Sequence, residues 1–193
     1  MGDTLAIFGV GPIALIMASW ARYAGVRQVI LVARSEEKLQ FAQRLGFLET
    51  INSNSTDAAE YIRKHTEGKG ADACIEGTGI SEGLEACALS TKNFGRIVTL
   101  ANPLGEMRMS QAAYWQILRR ELEVVGTWNS SFAKTENDWA KVVAAMRDKV
   151  IDVRPLITHR FRLRDYREAF SLMHDKREMY CKVMFVLGGE GDA

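Results

Sequence analysis

A glycine-rich turn near the start of the chain has the residue types and spacing best suited to chemistry. It reads GVGPIA from Gly9 and follows a short apolar run at residues 4–8. Gly9 permits a tight turn, Gly11 lets an anion approach the backbone, and the small Ala14 lets a helix lie against the preceding strand. Free N–H groups at the start of that helix, aided by its dipole, attract phosphate. The turn therefore predicts a diphosphate site; the alternative is a structural strand-turn-helix without a ligand.

The end of the next predicted strand indicates which nucleotide would fit. Residues 29–32 run into Ala33, Arg34 and Ser35. NAD sites place Asp or Glu here to accept hydrogen bonds from the ribose, and FAD and S-adenosylmethionine sites usually do the same. An acid would repel a 2′-phosphate, whereas a guanidinium beside a hydroxyl attracts one. These residues therefore favour NADP, with NAD possible, and Lys38 adds charge one helical turn later. The alternative is that Arg34 and Lys38 are ordinary surface side chains.

Strands and helices alternate along most of the chain. Strands are predicted at residues 4–8, 29–32, 73–75, 96–101 and 121–126, and helices at residues 12–24, 35–46, 57–66, 81–88 and 111–119. Ser35 and Asp57 are the expected caps of the second and third helices. This order predicts an α/β fold, a doubly wound parallel sheet of the Rossmann type. After Trp128 the pattern changes to a helix capped by Thr135 or Asn137, a helix at residues 165–174 and a strand at residues 181–187. We expect a dinucleotide-binding domain at residues 1–127 and a segment of a second, catalytic domain at residues 128–193.

Composition excludes several classes of protein. Of 193 residues, 47% are hydrophobic and 25% are charged, which excludes a disordered chain. A net charge of +1 gives no general attraction to nucleic acid or to an anionic membrane. No apolar stretch is long enough to span a bilayer. The cysteines Cys74, Cys87 and Cys181 form no CxxC pair, so we expect neither a disulfide framework nor a zinc ribbon but a reduced, cytoplasmic setting.

Taken together, these motifs resemble the medium-chain dehydrogenase/reductase superfamily, in particular its zinc-type alcohol and polyol dehydrogenases. The matching segments cover nearly the whole chain and follow the family order: GVGPIA, RSEEKLQFAQRLG, GADACIEGTG, GRIVTLANP, ILRRELEVVGTW and LITHRFRLRDYREAFSLM. GTWNSS, from Gly126, is most like the sugar-alcohol branch, which includes galactitol-1-phosphate and sorbitol dehydrogenases. The resemblance implies an oxidoreductase that transfers hydride between NAD(P) and a secondary alcohol, with a catalytic zinc.

The resemblance also implies roles for individual positions. It places Gly9, Gly11, Pro12 and Ile13 at the pyrophosphate, and Thr78 near the ribose. The nicotinamide would lie against residues that follow the later strands: Leu100, Ala101, Asn102, Thr127, Trp128 and Asn129. The last three would also border the pocket for an alcohol or polyol substrate. A homodimer or homotetramer is implied, through a segment near residues 104–126.

The zinc-binding half of that family has no counterpart in this sequence. The chain begins at the first strand of the cofactor domain, so we expect a C-terminal portion. His65, His159 and His174 lack the spacing of paired ligands on a helix, and neither Tyr-x-x-x-Lys nor Gly-x-Ser-x-Gly occurs. We therefore predict no catalytic and no metal-binding residue within the chain. The alternative function is a stand-alone dinucleotide-binding or dimerisation module without catalysis.

Two smaller expectations concern buried groups and the end of the chain. Glu76 directly follows a predicted strand, and we expect it to pair with a nearby backbone group or cation. Cys74 and Cys87 fit the role of small buried hydrophobic residues. We also expect association or poor order after Trp128, because the apolar face of that segment would lack a partner.

Overall fold

The computed structural model describes residues 3–133 and 135–187, and its centre is a sheet flanked by helices. In chain order the elements are β1 (Thr4–Phe8), α1 (Pro12–Tyr23), β2 (Gln28–Ala33), α2 (Glu36–Arg44), β3 (Thr50–Asn52), α3 (Ala58–His65), β4 (Ala71–Glu76), α4 (Ser81–Ser90), β5 (Thr91–Thr99), α5 (Gln111–Arg119) and β6 (Glu123–Gly126). The strand order is β3-β2-β1-β4-β5-β6, and neighbouring strands are parallel. The predicted doubly wound α/β fold is confirmed.

The order of the strands changes direction between β1 and β4. Phe8, the last residue of β1, lies opposite Val32 of β2 on one side and Glu76 of β4 on the other. From β1 the chain winds outward through β2 and β3, and it then crosses over to begin again at β4. Such a reversal leaves a crevice beyond the carboxyl ends of the two central strands, where ligands of open α/β sheets bind.

Alternate residues of the central strands supply two apolar cores, one on each face of the sheet. Ile7 and Ile75 pack with α1 and α2, whereas the adjacent residues Phe8 and Cys74 pack with α3, α4 and α5. Successive side chains of a strand point to opposite faces, so a strand covered on both sides must be apolar throughout. This explains why the runs TLAIF and VILV lack the polar alternation of a half-exposed strand.

One strand of the sheet is not predicted from the sequence, and another differs from its predicted bounds. β3 has only three residues, of which Ile51 alone is buried, and it lies at the edge of the sheet. An apolar pattern cannot be recognised in so short a segment. The strand predicted third is therefore β4. β5 runs from Thr91 to Thr99, whereas the predicted strand covers residues 96–101. The first half of β5 was not recognised because its register is irregular and Phe94 has a positive φ of 59°, which interrupts the apolar pattern.

The chain beyond β6 forms a smaller unit of secondary structure. It contains α6 (Asp138–Arg147), β7 (Ile157–Arg162), α7 (Tyr166–Asp175) and β8 (Lys182–Val186), with short 3-10 turns at Arg154–Leu156 and Leu163–Asp165. β7 and β8 pair in parallel. Leu156 joins the core beside α1, and a cavity of about 490 Å³ lies between α1 and residues 150–156. Trp139 and Phe170 are exposed. The division at residues 127 and 128 stays a prediction.

Helix starts follow the predicted caps. Ser35, Asp57 and Asn137 each accept a hydrogen bond from the backbone N–H three residues later, at 3.4, 2.9 and 3.0 Å. Asn137, and not Thr135, is therefore the cap of α6. These bonds satisfy N–H groups that a helix leaves without partners at its start. Within the described residues, no helix combines the length and apolarity needed to cross a membrane.

Candidate functional site: a cleft at the carboxyl edge of the sheet

The glycine-rich turn connects β1 to α1 at the carboxyl edge of the sheet. Gly9 has a φ of +102°, and its N–H donates to the Val32 carbonyl at 2.8 Å. A Cβ at this position would lie 2.7 Å from the Gly77 carbonyl oxygen, so only glycine fits. Gly11, the N-cap of α1, has an extended backbone, and a Cβ there would meet nothing within 4 Å. Pro12 follows at the first helical position. The start of α1 is thus open to an anion.

A cleft of about 750 Å³ lies over this turn. It joins seven of the residues proposed from the sequence: Gly9, Gly11, Ala33, Arg34, Ser35, Lys38 and Thr78. They come from the ends of β1, β2 and β4 and from the first turn of α2. The glycine turn lies at its centre, with the basic residues after β2 on one side. The cleft therefore combines an open helix start with a separate positively charged end.

The basic end of the cleft is held by the loop after β3. Arg34 is exposed, while the Asn54 side-chain amide donates to its carbonyl oxygen at 2.9 Å. The Asn52 amide donates to a Glu36 carboxylate oxygen at 2.9 Å. The backbone of Arg34 is thus fixed, and its guanidinium is left facing solvent at the cleft. Glu36 is the nearest acid in the sequence, and one of its oxygens already has a partner.

A further part of the cleft lining was not predicted from the sequence. Ser53, Thr56 and Asp57 line it from the loop between β3 and α3, and Glu82 and Glu85 line it from α4. Asp57 is recognised in the sequence only as a helix cap. The signal that would have revealed this part of the lining is β3 itself, because residues that follow a parallel strand gather at the same edge as the glycine turn.

Glu76, at the end of β4, is a buried carboxylate beneath the loop that carries Thr78. It is only 2% exposed, and its Oε1 accepts the N–H groups of Thr78 and Gly79 at 2.7 and 2.9 Å. The Thr78 hydroxyl donates to the same oxygen. The expected pairing with backbone is therefore observed, and it fixes the shape of the loop that faces the glycine turn.

The remaining residues proposed from the sequence lie at the same edge but outside the lining of the cleft. Leu100 and Ala101 follow β5, and their N–H groups donate to the Glu76 carbonyl at 2.9 and 3.3 Å. The Thr127 N–H, just past β6, donates to the Thr99 carbonyl at 3.1 Å. The others are exposed at their side chains: Ile13, Asn102, Trp128 and Asn129.

Cysteine and histidine side chains occupy structural positions. Burial raises the pKa of the Cys87 thiol well above its ordinary value, and the neighbouring Cys74 and Glu76 add to this effect. Such a thiol is a poor nucleophile. His65 Nδ1 lies 2.8 Å from the Tyr61 carbonyl oxygen, at the end of α3. Within the described ranges, no group of three or more His, Cys, Asp or Glu side chains is placed to hold a metal ion.

Comparison with known proteins identifies the family. Residues 12–148 match the family described as zinc-binding dehydrogenase. The L-threonine 3-dehydrogenase of Bacillus subtilis (strain 168) is 30% identical over 176 residues, which cover 89% of this chain and 48% of that protein. Galactitol-1-phosphate dehydrogenase from Escherichia coli has the same fold, with a TM-score of 0.84 at 23% identity over 94% of this chain and 53% of the other.

A second solved structure carries a cofactor. It is an Escherichia coli CFT073 protein described as a short chain alcohol dehydrogenase and complexed with NADH, with a TM-score of 0.80 at 23% identity over 94% of this chain and 51% of the other. The chain spans about half the length of each of these relatives. The family match itself covers more than half of the chain, and the resemblance inferred from the motifs is confirmed. This chain belongs to the zinc-binding dehydrogenase family.

Proposed function

We propose that this chain binds a nicotinamide dinucleotide, NADP in preference to NAD, as the cofactor-binding part of a zinc-dependent alcohol or polyol dehydrogenase. The whole protein would transfer hydride between NAD(P) and a secondary alcohol. The observation that carries the proposal is the cleft, in which an open helix start at Gly11 lies between Thr78 and the cations after β2. A related fold complexed with NADH supports a cofactor of this class.

Each part of the dinucleotide would meet a different part of this chain. Gly9 and Gly11 would hold the pyrophosphate, together with the free N–H groups in the first turn of α1. The adenosine ribose and its 2′-phosphate would lie beside Ala33, Arg34, Ser35 and Lys38, where charge-assisted hydrogen bonds are available. The other half would extend toward Thr78, Leu100, Ala101, Asn102, Thr127, Trp128 and Asn129. When bound, the nicotinamide ring supplies the hydride chemistry, and the protein supplies orientation and electrostatics.

The described residues of this chain do not fit a zinc ion. They offer no group of three or more candidate ligands. We therefore derive no step through zinc in this chain, and we propose that its ligands belong to the other half of a protein about twice as long, as the lengths of the relatives suggest. The substrate, a small alcohol or polyol, would be bound with that half. A reduced, cytoplasmic setting fits the three free cysteines.

A binding titration tests the proposed cofactor. We expect the chain to bind NADPH more tightly than NADH, and Arg34→Ala to weaken NADPH binding by about tenfold or more, the value of a charge-assisted hydrogen bond. NADH binding should change little, because NADH has no 2′-phosphate. Isothermal titration calorimetry with both cofactors measures the preference.

Arg44→Ala is a matched control for that titration. Arg44 is an exposed arginine at the far end of the same helix, α2, and it does not line the cleft among the described residues. Equal affinity of the unmutated chain for the two cofactors would refute the preference for NADP. Failure to bind either cofactor would refute the proposed function.

We also propose that the chain assembles as a homodimer or homotetramer through β6. All four residues of this strand are exposed, and it is the last strand of the sheet. Val124 and Val125 keep 47% and 36% of their surface exposed. An exposed apolar edge strand has unpaired backbone groups that can bond to another strand.

A further inference from the structure

Glu76 is the one buried residue with a charged side chain in the described part of the chain, and the proposed function gives it no role. Its side chain turns back beneath residues 77–79 instead of facing the cleft, since it is 2% exposed while Thr78 lines the cleft. Taking a carboxyl group out of water is costly unless it is hydrogen-bonded. Three hydrogen bonds from the loop after β4 offset this cost at Glu76. The N–H groups of Thr78 and Gly79 and the Thr78 hydroxyl all donate to Oε1.

This arrangement fixes the hydrogen-bonding character of the Thr78 hydroxyl. A threonine hydroxyl has one hydrogen and two lone pairs. The hydrogen is donated to Glu76 Oε1, and one lone pair accepts the Ile80 N–H at 3.4 Å. The Thr78 methyl group lies toward Gly9, and the hydroxyl oxygen lies toward Gly83 of α4, which also lines the cleft. Thr78 can therefore accept, but not donate, a hydrogen bond from a ligand. The matching ligand group is a hydroxyl or an amide N–H.

The packing around this pair leaves it no freedom to reorient. A Cβ at Gly83, in the first turn of α4, would lie 2.1 Å from Thr78 Oγ1 and 3.0 Å from Glu76 Oε1. Gly79 has a φ of +72°, and a Cβ there would lie 2.2 Å from the Asn102 carbonyl oxygen. The loop is therefore pressed between α4 and the segment after β5. Only glycine permits both contacts.

Glu76 also holds the segment that follows β5. Its carbonyl oxygen accepts the N–H groups of Leu100 and Ala101, and the Gly79 carbonyl accepts the Leu104 N–H at 2.9 Å. Glu76 thus joins the Thr78 loop, through its side chain, to residues 100 and 101, through its backbone. The basic end of the cleft, at Arg34, is held by a different set of bonds, from Asn54.

We propose that Glu76 is a positioning residue for the nicotinamide-riboside half of the dinucleotide, and that it acts by making the Thr78 hydroxyl an acceptor toward the cleft. This inference rests on the proposed function. It requires that loss of the carboxylate affect one half of the ligand and not the other. A ligand that contains only the adenosine half therefore provides the test.

The experiment titrates two ligands, NADPH and adenosine 2′,5′-bisphosphate, into the unmutated chain and into Glu76→Gln. The amide keeps the shape of the side chain but removes the charge, and charge-assisted hydrogen bonds are roughly twice as strong as neutral ones. We expect the Kd for NADPH to rise about tenfold, while the Kd for the bisphosphate stays within about twofold. Thr78→Val should do the same, and the double variant should be no worse than either single variant, because both changes remove one interaction.

Controls separate positioning from folding. Glu67→Gln removes a carboxylate from an exposed ion pair and should change neither Kd. Thermal unfolding of each variant is measured in parallel. If Glu76→Gln left both affinities unchanged, or weakened both ligands equally together with the melting temperature, the positioning role would be wrong while the proposed function would stand. If the unmutated chain bound neither ligand, the proposed function and this inference would both be wrong.

Discussion

Gly9 and Gly11 are separated by one residue, yet of the two the fold requires glycine only at Gly9. Gly9 has a positive φ and packs against the Gly77 carbonyl, so a side chain there is excluded by the fold itself. Gly11 has an ordinary extended φ and open space around it, so a methyl group would fit the free protein. Under the proposed function, glycine at this position lets the pyrophosphate approach the backbone closely.

Alanine substitutions should separate these two reasons. Gly9→Ala should lower the free energy of unfolding by about 3 kcal/mol, because a Cβ would lie 2.7 Å from a backbone oxygen in a strained backbone. Gly11→Ala should leave stability nearly unchanged and should raise the Kd for NADPH about tenfold or more, since the methyl would occupy the approach of the phosphate. Urea unfolding and calorimetric titration measure the two effects.

Gly25→Ala serves as the matched control for Gly9. Gly25 has a φ of +85°, but a Cβ there would meet nothing within 4 Å. Its replacement should cost only the backbone strain, about 1 kcal/mol. A Gly9 variant no less stable than the Gly25 variant would argue against the close contact with Gly77. A Gly11 variant that binds NADPH normally would argue against pyrophosphate at this turn.

Secondary structure elements are joined at the amino edge of the sheet by a half-buried ion pair. Asp72 of β4 accepts the Thr4 N–H at 2.8 Å and pairs with Lys92 of β5, so it links three neighbouring strands. Burial alone would raise the pKa of Asp72, but the hydrogen bonds from Lys92 and Thr4 outweigh it and hold the pKa below its ordinary value. A carboxyl group whose pKa is lowered by folding stabilises the protein above its unfolded pKa.

The contribution of Asp72 should therefore depend on pH in a defined direction. At pH 7, Asp72→Asn should lower the free energy of unfolding by about 1 kcal/mol, the value of a hydrogen bond to a partly exposed charge. The difference should shrink below about pH 4, as the unmutated carboxyl becomes protonated. Urea unfolding at pH 7, 5 and 3 measures it. Glu67→Gln, in an exposed pair, should cost little at any pH; a constant gap for Asp72→Asn would contradict this account.

The sequence predicts elements best where both faces of an element are buried or where a cap is present. β1, β2 and β4 contain apolar runs at residues 5–8, 29–33 and 73–75, and Ser35, Asp57 and Asn137 mark helix starts that the structure confirms. β3 escaped prediction because its place is set by pairing with β2, a long-range contact. The residues after β3 that line the cleft were not predicted for the same reason. The Glu76 pairing was foreseen, but not its partners, because they depend on how the loop folds back.

Large apolar side chains are exposed on β6 and on the segment that follows it, and such surfaces favour assembly with another copy. Val124 and Val125 of β6 are exposed at one edge, and Trp128, Trp139 and Phe170 are exposed in the segment that follows. Monomeric proteins rarely expose large contiguous apolar patches. The expected association of the segment after Trp128 fits this distribution but stays a prediction.

A change at the edge strand tests the proposed assembly. In solution the chain should have at least twice the mass of one copy, 21.6 kDa. The double variant Val124→Lys, Val125→Lys should shift it toward the single-copy mass, because lysine on an edge strand prevents pairing. Light scattering coupled to size exclusion measures the mass. The control is the double variant Val142→Lys, Val143→Lys, which changes exposed residues of α6 and leaves β6 intact. If only this control lowered the mass, the interface would lie elsewhere than at β6.

Helix α1 connects the glycine turn with a later part of the chain. Its first residue follows the open turn at Gly11, and its later residues Ser19 and Tyr23 border the cavity shared with residues 150–156. With a rise of about 1.5 Å per residue, its twelve residues form a rod of about 18 Å. Helix α1 therefore begins at the cleft and ends beside residues 150–156, so a tilt of this helix would displace both regions together.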